Sequence, residues 1–551
     1  MPSNAPAIPK QTLRRNRRLP DAFAIGILAA VALIAASTFR DYGLGWDDFT
    51  HSQYADLLLA FYSSGFTDTR AFSFVNLYMY GGGFDMAAAL LAKISPFDLF
   101  ETRRLLGAAV GLLGLFVIWR LGRRVGGPLA GLIALALLAA CPLYYGHMFI
   151  NPKDSPFAVM MAITLLGIVR AVEEYPQPAP ATWLLFGLGL GLSIGSRIMG
   201  GFAVIYALSA LTLIVAVEAR AYGVRRSAVR LGGFLRTIWP SVVVAVAAMA
   251  LVWPWSVRDP FNLLKTVAYF SEFFEKPWRE LFAGQLILAP DMPRSYAPVL
   301  LGLQMPEILL ALALAGLAWT LAMAARPLAP IRRRAIFLVI ALAAILPVAV
   351  AVATRPAMYN GIRHLVFIVP PLALLGGLAG SFLLERTRAY GRPVVIAASA
   401  VLLAGLASPV VEMVRLHPYQ YVYFNHFAGG IRGAEGRYML DYWGLALRQA
   451  SLELREKIPA LGMRAEGGRN WKIAVCGPHP PAAIALGDQY DLTWESKDAD
   501  FAMMLGVFYC AKYDAPVLVE ITREGVLFAR VYDIRGRTFP SLFAFPPVKS
   551  D

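Results

Sequence analysis

The run Ala22–Thr38, AFAIGILAAVALIAAST, is an unbroken apolar stretch, and the segment Gly45-Trp46-Asp47-Asp48-Phe49-Thr50-His51 follows it within a few residues. Seventeen or more consecutive apolar residues are enough to cross a bilayer as a helix. Lys10, Arg14, Arg15, Arg17 and Arg18 precede the run, as in a signal peptide. No small-residue cleavage site before a soluble domain follows, and more apolar spans do, so it reads as an uncleaved first span with a cytoplasmic N-terminus. The acidic pair then stands just outside a membrane helix, where a carboxylate can reach a hydroxyl or amine presented beside a lipid.

The rest of the composition agrees. Of 551 residues, 58% are hydrophobic and 16% charged, well under the roughly 25% charged residues of soluble domains. The net charge of +15 is carried by short basic runs between apolar spans, the distribution that sets membrane topology, so nucleic acid is not the expected partner. Apolar spans near 22–39, 105–122, 128–146, 155–172, 182–199, 201–218, 237–254, 303–325, 335–353, 364–384 and 393–413 make about eleven. Arg120, Arg123 and Arg124, the run Arg220 to Arg236, Arg326 with Arg332 to Arg334, and Arg386, Arg388 and Arg392 then all fall on the side of the N-terminus. The expected architecture is an α-helical polytopic membrane protein. A basic cytoplasmic tail (1–20) leads into a membrane domain (21–413), whose first external loop (40–104) carries interfacial helices at Tyr54–Tyr62 and Leu77–Leu91. After Arg415 the pattern turns soluble, with a helix over Leu445–Ile458 and strands at Trp471–Val475, Phe501–Leu505, Pro516–Thr522 and Val526–Tyr532. Residues 414–551 are thus read as a small external α/β domain. Cys141, Cys476 and Cys510 form no metal-ligand spacing, and a single Cys476–Cys510 bond stays open.

Four places carry chemistry. Asp47 and Asp48 can serve as general base and partner, or can be a solvated turn after Gly45. The same two carboxylates are the only candidates for a divalent cation, and they lack a fixed third oxygen. In Asn151-Pro152-Lys153-Asp154-Ser155-Pro156, Asp154 is either a helix cap or an acid of the site, and Lys153 stays free in both readings. Arg197 and Arg363 lie on the external side and break the basic-inside pattern. An embedded guanidinium needs a partner, either a phosphate held by two parallel hydrogen bonds or a structural carboxylate such as Asp47, Asp48 or Asp154. His364 adjoins Arg363. The segment Trp255-Ser256-Val257-Arg258 and the run Lys276-Pro277-Trp278-Arg279 suit a sugar or an aromatic interface belt.

The chain resembles the bacterial branch of the protein-O-mannosyltransferase and lipid A aminoarabinose transferase superfamily, the GT-C (glycosyltransferase family 39-like) membrane enzymes. The resemblance is carried by Trp46-Asp47-Asp48, Asn76-Leu77-Tyr78-Met79-Tyr80-Gly81-Gly82, Asn151-Pro152-Lys153-Asp154, Arg363-His364 with Pro370-Pro371, and His417-Pro418-Tyr419-Gln420-Tyr421-Val422-Tyr423-Phe424-Asn425, and it runs from about Trp46 to Trp443. It implies inverting transfer of a sugar from a polyprenyl-phosphate carrier to a lipid, glycan or protein acceptor on the outer face of a bacterial inner membrane. It makes Asp47 the catalytic residue, with Asp48 where the family usually has Glu. Asp154 joins the catalytic group, Lys153, Arg197, Arg363 and His364 the donor phosphate, and His51, Tyr54, Tyr80 and Trp255 the sugar or acceptor. Two other classes compete, a polytopic transporter and a non-catalytic envelope assembly protein built around the C-terminal domain. The sequence shows no inverted repeat, and its singled-out charges gather at one membrane face.

Overall fold

The computed structural model describes residues 10–271 and 279–545; Lys276, Pro277 and Trp278 lie outside them. In chain order the helices are α1 Lys10–Thr38, α2 Asp48–Ser63, α3 Gly83–Ala92, α4 Leu99–Gly126, α5 Pro128–Ala139, α6 Pro142–Ile150, α7 Asp154–Glu173, α8 Pro180–Ser196, α9 Phe202–Tyr222, α10 Val224–Ile238, α11 Pro240–Val252, α12 Asn262–Ser271, α13 Tyr296–Gln304, α14 Glu307–Ala325, α15 Ile331–Thr354, α16 Val369–Thr387 and α17 Arg392–Leu416.

Among the described residues, nine helical segments are long and apolar enough to cross a membrane, and a tenth is the pair α5 and α6, bent by 63°. Pro142 at the start of α6 explains the bend, because proline opens a helix but cannot continue one. The expected eleventh span is α8, which at 17 residues is about 26 Å long and falls just short of the hydrocarbon thickness. Its two ends nevertheless meet the two ends of α7: Glu174 accepts from the Ala179 amide below, and Arg197 is paired with Asp154 above. Helix α8 therefore runs the length of α7, and its glycines permit this close packing. A Cβ on Gly187 would stand 2.6 Å from the Ser241 carbonyl and one on Gly191 2.3 Å from that of Ala245, both on α11.

The expected first-loop helices appear as α2 and α3, although only the second half of Leu77–Leu91 is α-helical. The long loop after α11 holds a feature the sequence did not suggest, a hairpin of β1 (Arg279–Phe282) and β2 (Gln285–Leu288). After α17 a short helix α18 (Gly430–Ala434) leads to α19 (Ala446–Ala460), β3 (Trp471–Cys476), α20 (His479–Leu486), β4 (Tyr490–Thr493), β5 (Phe501–Leu505), β6 (Val517–Arg523) and β7 (Val526–Asp533). The sheet order is β4-β3-β5-β7-β6, with β3 parallel to both neighbours and the β5-β7-β6 side antiparallel. The fully buried β5 reads as a continuous apolar run, as strands covered on both faces do. Cys476 at the end of β3 is bonded to Cys510 in the loop beyond β5, while Cys141 is free and buried.

This domain is seated directly on the first loop. A Cβ on Gly43 would lie 2.4 Å from the Leu445 carbonyl oxygen, so glycine is what lets the two backbones touch there. The contact delivers Tyr442 and Trp443 to the functional site.

Candidate functional site

The adjacent acids Asp47 and Asp48 part company at the start of α2. Consecutive helical positions point about 100° apart. Asp47 keeps 38% of its side-chain area accessible, and its Oδ2 lies 3.3 Å from Nη1 of Arg363. Asp48 is 1% exposed and meets the guanidinium of Arg104 in two hydrogen bonds of 3.0 and 2.8 Å. It also accepts from the Gly45 amide at 2.8 Å. Arg104 donates further to the carbonyls of Gly43 and Phe149. Asp48 is thus a buried strut between α4 and the first loop, and the expectation of two carboxylates acting together or sharing a cation does not fit this geometry. Among the described residues no three His, Cys, Asp or Glu side chains converge as a metal site would require.

His51 and Tyr54, expected to face sugar or acceptor, turn inward instead. Three and six residues beyond Asp48 on α2, they fall on its buried face. His51 Nδ1 lies 2.7 Å from Asp85, whose other oxygen is 2.7 Å from Arg103. Burial alone would raise the Asp85 carboxyl, but His51 and Arg103 hold it below its ordinary value. Tyr54 is 1% exposed and donates its hydroxyl to the Tyr80 carbonyl at 3.2 Å. Trp255 packs edge-on to Tyr78 at 5.2 Å and beside Trp253, in the aromatic layer under the cluster.

The turn between α6 and α7 is built by the side chain of Asn151. Its carbonyl accepts from the amides of Lys153 (3.1 Å) and Asp154 (2.7 Å). Its amide donates to Asp154 Oδ2 (3.0 Å) and to His147 Nδ1 (3.0 Å). The side chain mimics a turn of backbone, the known talent of Asn. Asp154 gives its remaining oxygen to Arg197. The structural-carboxylate reading of the arginines is therefore what the geometry displays: Arg197 with Asp154, Arg363 with Asp47. Lys153 makes no ion pair among the described residues. Its ammonium lies 4.4 Å from the centre of the Tyr80 ring, against which Arg197 also packs at 5.5 Å. Gly81 makes this possible, since a Cβ there would overlap the Gly195 carbonyl at the end of α8.

Arg363 lies over the rings of Tyr359 (4.8 Å) and Trp443 (5.4 Å), and His364 meets Tyr359 edge-on at 4.9 Å. Among the described residues, the Nε atoms of Arg197 and Arg363 and Nδ1 of His364 are buried without a hydrogen-bond partner. Such polar atoms, the two arginine donors above all, are costly to leave unmet. The cluster holds three cations, Lys153, Arg197 and Arg363, against two carboxylates, Asp47 and Asp154, an excess of one positive charge. Burial raises the Asp47 carboxyl, yet Lys153, Arg363 and His51 together outweigh it and hold it below its ordinary value. Burial, helped by Arg197 and Arg363, brings Lys153 down to about 8 against the opposing pull of Asp47 and Asp154.

Sequence reasoning missed Tyr359, Trp443 and Glu280. Glu280 on β1 is 2% exposed; it accepts from the Asn360 amide at 2.9 Å and braces the turn leading to Arg363. Burial lifts its carboxyl to about 8 in spite of the Asn360 and Gly361 amides. A lone Glu in a loop carries no local signal of such burial.

Residues 84–257 match the family model described as dolichyl-phosphate-mannose-protein mannosyltransferase. That segment, about a third of the chain, is thus similar to membrane enzymes that use a lipid-phosphate-linked sugar. The matched segment runs from α3 through Trp255 and contains Lys153, Asp154 and Arg197. No curated protein matches the chain. Among solved structures, ArnT from Cupriavidus metallidurans bound to undecaprenyl phosphate is 16% identical, with a TM-score of 0.47, over 94% of this chain and 99% of that one. The archaeal oligosaccharyltransferase AglB from Archaeoglobus fulgidus, in complex with an inhibitory peptide and a dolichol-phosphate, is 12% identical, with a TM-score of 0.47, over 88% of this chain and 69% of that one.

Proposed function

We propose that this protein is a membrane glycosyltransferase that moves a sugar from a polyprenyl-phosphate carrier to a lipid, glycan or protein acceptor on the external face, with inversion at the anomeric carbon. The observation that carries the proposal is the cluster itself: a partly accessible, ionised Asp47 beside a cation set with one unneutralised charge and buried donors that lack partners. A polyprenyl phosphodiester brings one negative charge and supplies the missing acceptors.

In the reaction the acceptor O–H or N–H attacks the anomeric carbon while the bond from that carbon to the phosphate oxygen breaks. The electron pair leaves with the phosphate and the proton passes to Asp47. The depressed Asp47 carboxyl is deprotonated at neutral pH, as a base must be. The leaving phosphate needs charge stabilisation, which Lys153 and Arg363 provide from fixed positions. Arg197 adds its charge behind Lys153 while Asp154 and Asn151 hold it in place. Asp48, through Arg104, fixes the start of α2 and hence Asp47. Tyr80 carries the two cations on its ring.

The orientation, N-terminus inside and residues 414–551 outside in the periplasm, rests on the arginine runs and on the Cys476–Cys510 bond, which suits an oxidising compartment. The test uses purified protein in detergent with undecaprenyl phosphate as probe. Saturable binding that Lys153→Ala weakens at least tenfold is expected, together with an envelope lipid, glycan or protein that loses a sugar in cells lacking the gene. Absence of both would sink the proposal.

A further inference from the structure

A cationic cavity of about 200 Å³, apart from the Lys153 cluster, lies where the C-terminal domain meets the external ends of the first span and α4. Its walls come from three separate pieces of chain. Arg40 closes the first span, Arg104 stands in the first turns of α4, and Arg448, Leu452 and Arg455 come from α19. Positions four and three apart on a helix share one face. The α19 sequence therefore sets the α-carbons of two arginines about 10 Å apart along the axis, on either side of a leucine.

The charges here are not balanced. Arg40 is paired with Glu101 and Arg104 with Asp48, while Asp98 caps α4 by accepting the Glu101 amide at 2.8 Å. Among the described residues the Arg455 guanidinium donates only to a carbonyl, that of Ala485 at 3.0 Å. Arg448 is half-buried, and its side chain has no hydrogen bond or ion pair among the described residues. The Nε of Arg104, a residue 3% exposed, is buried without a partner. Two guanidinium groups without carboxylates, plus an orphaned donor in the pocket wall, describe a site short of an anion.

We propose that this pocket binds a phosphate headgroup, supplied either by a membrane phospholipid or by a phosphorylated sugar. Arg448 and Arg455 grip the phosphate, and Leu452 packs against the carbon skeleton beside it. The site is separate from the Lys153 cluster, and the two communicate through one strut. Arg104 lines the pocket on one side and holds Asp48 on the other, directly next to Asp47. The pocket inference does not depend on glycosyl transfer, because its test reads binding alone.

Full-length protein in detergent is titrated with dihexanoyl phosphatidylglycerol, glucose 1-phosphate and, as a zwitterionic control, dihexanoyl phosphatidylcholine, following the thermal midpoint. Saturable stabilisation by phosphatidylglycerol identifies a lipid source, and by glucose 1-phosphate a sugar phosphate. In either case Arg448→Glu with Arg455→Glu should weaken it at least tenfold, and Arg448→Lys with Arg455→Lys should stay within about threefold. Leu452→Trp, which fills the pocket without touching its charge, should also abolish binding and serves if the glutamate variant fails to fold. Undecaprenyl phosphate binding should be unchanged in all of these. No saturation by either phosphate, equal stabilisation by phosphatidylcholine, or an unaltered response in the glutamate and tryptophan variants would overturn the assignment. Phosphate binding here with no undecaprenyl phosphate binding anywhere would leave the pocket standing and remove the transferase reading.

Discussion

Lys153 and Arg197 share one aromatic ring: the Lys153 ammonium stands 4.4 Å and the Arg197 guanidinium carbon 5.5 Å from the centre of Tyr80. Two like charges gathered on one quadrupole favour an anion beside them. The ring should therefore matter for donor binding, and the Tyr80 hydroxyl should not. Tyr80→Phe should bind undecaprenyl phosphate nearly as the native protein does. Tyr80→Leu should bind it about 3- to 30-fold more weakly, the range expected for losing partly desolvated cation–π contacts. Equal affinities in both variants would refute the role of the ring.

The parting of Asp47 and Asp48 predicts two different phenotypes. Asp47→Asn should lower turnover by roughly 10²- to 10⁴-fold with stability and donor affinity nearly intact, the usual loss for a general base. Asp48→Asn leaves the buried Arg104 without its counter-charge and should destabilise by about 3–5 kcal/mol. Turnover numbers and thermal midpoints of both variants separate the cases; a stable Asp48→Asn protein would contradict the buried strut.

Lys153, brought down to about 8 by burial, loses its charge as pH rises through that value. Donor KM should stay flat at lower pH and climb above about pH 8. In Lys153→Arg the climb should vanish, because a guanidinium stays charged. A KM profile that rises identically in both proteins would assign the ionisation elsewhere.

Glu280 gives a stability signature instead. Its carboxyl is raised from 4.5 to about 8, so the folded protein holds a proton the unfolded chain has released. Stability from this group is full below about pH 4.5, falls as pH rises towards 8 by at most roughly 1.4 kcal/mol per unit, and levels off beyond. Glu280→Gln, neutral at every pH, should lack that decline and gain on the native protein between pH 5 and 9. Parallel stability curves would show that the group is not buried as described.

The orientation can be read in cells. A reporter active only in the cytoplasm, fused at the C-terminus, should stay silent, and the described domain should run faster on a gel without reductant than with it. A strong reporter signal would reverse every loop.

Much of this protein was legible from its sequence because the bilayer imposes a simple rule. A backbone in hydrocarbon must be helical, so length and apolarity alone locate the spans. The short turn signals and alternating runs after Arg415 likewise disclosed β3, β5, β6, β7 and α19. The brief β4 and the β1-β2 hairpin, too short for a period to register, went unseen. Asp47, Lys153, Arg197 and Arg363 were singled out because a charge beside a membrane span stands out against an apolar background. Their partners did not stand out. Which of two adjacent aspartates stays accessible depends on where α4 delivers Arg104, and the distance from Asp47 to Arg363 closes over more than three hundred residues of chain. Burial within the membrane was equally invisible: α16 and α17 lie in comparably apolar spans, yet one span is 89% buried at the centre and the other 6% buried at the edge. Hydrophobicity records that a residue avoids water and is indifferent to whether lipid or protein replaces it. The sequence by itself determined which segments enter the bilayer and which charges lie at its face. Tertiary packing alone decided which of those charges pair with one another and which are left without a counter-charge.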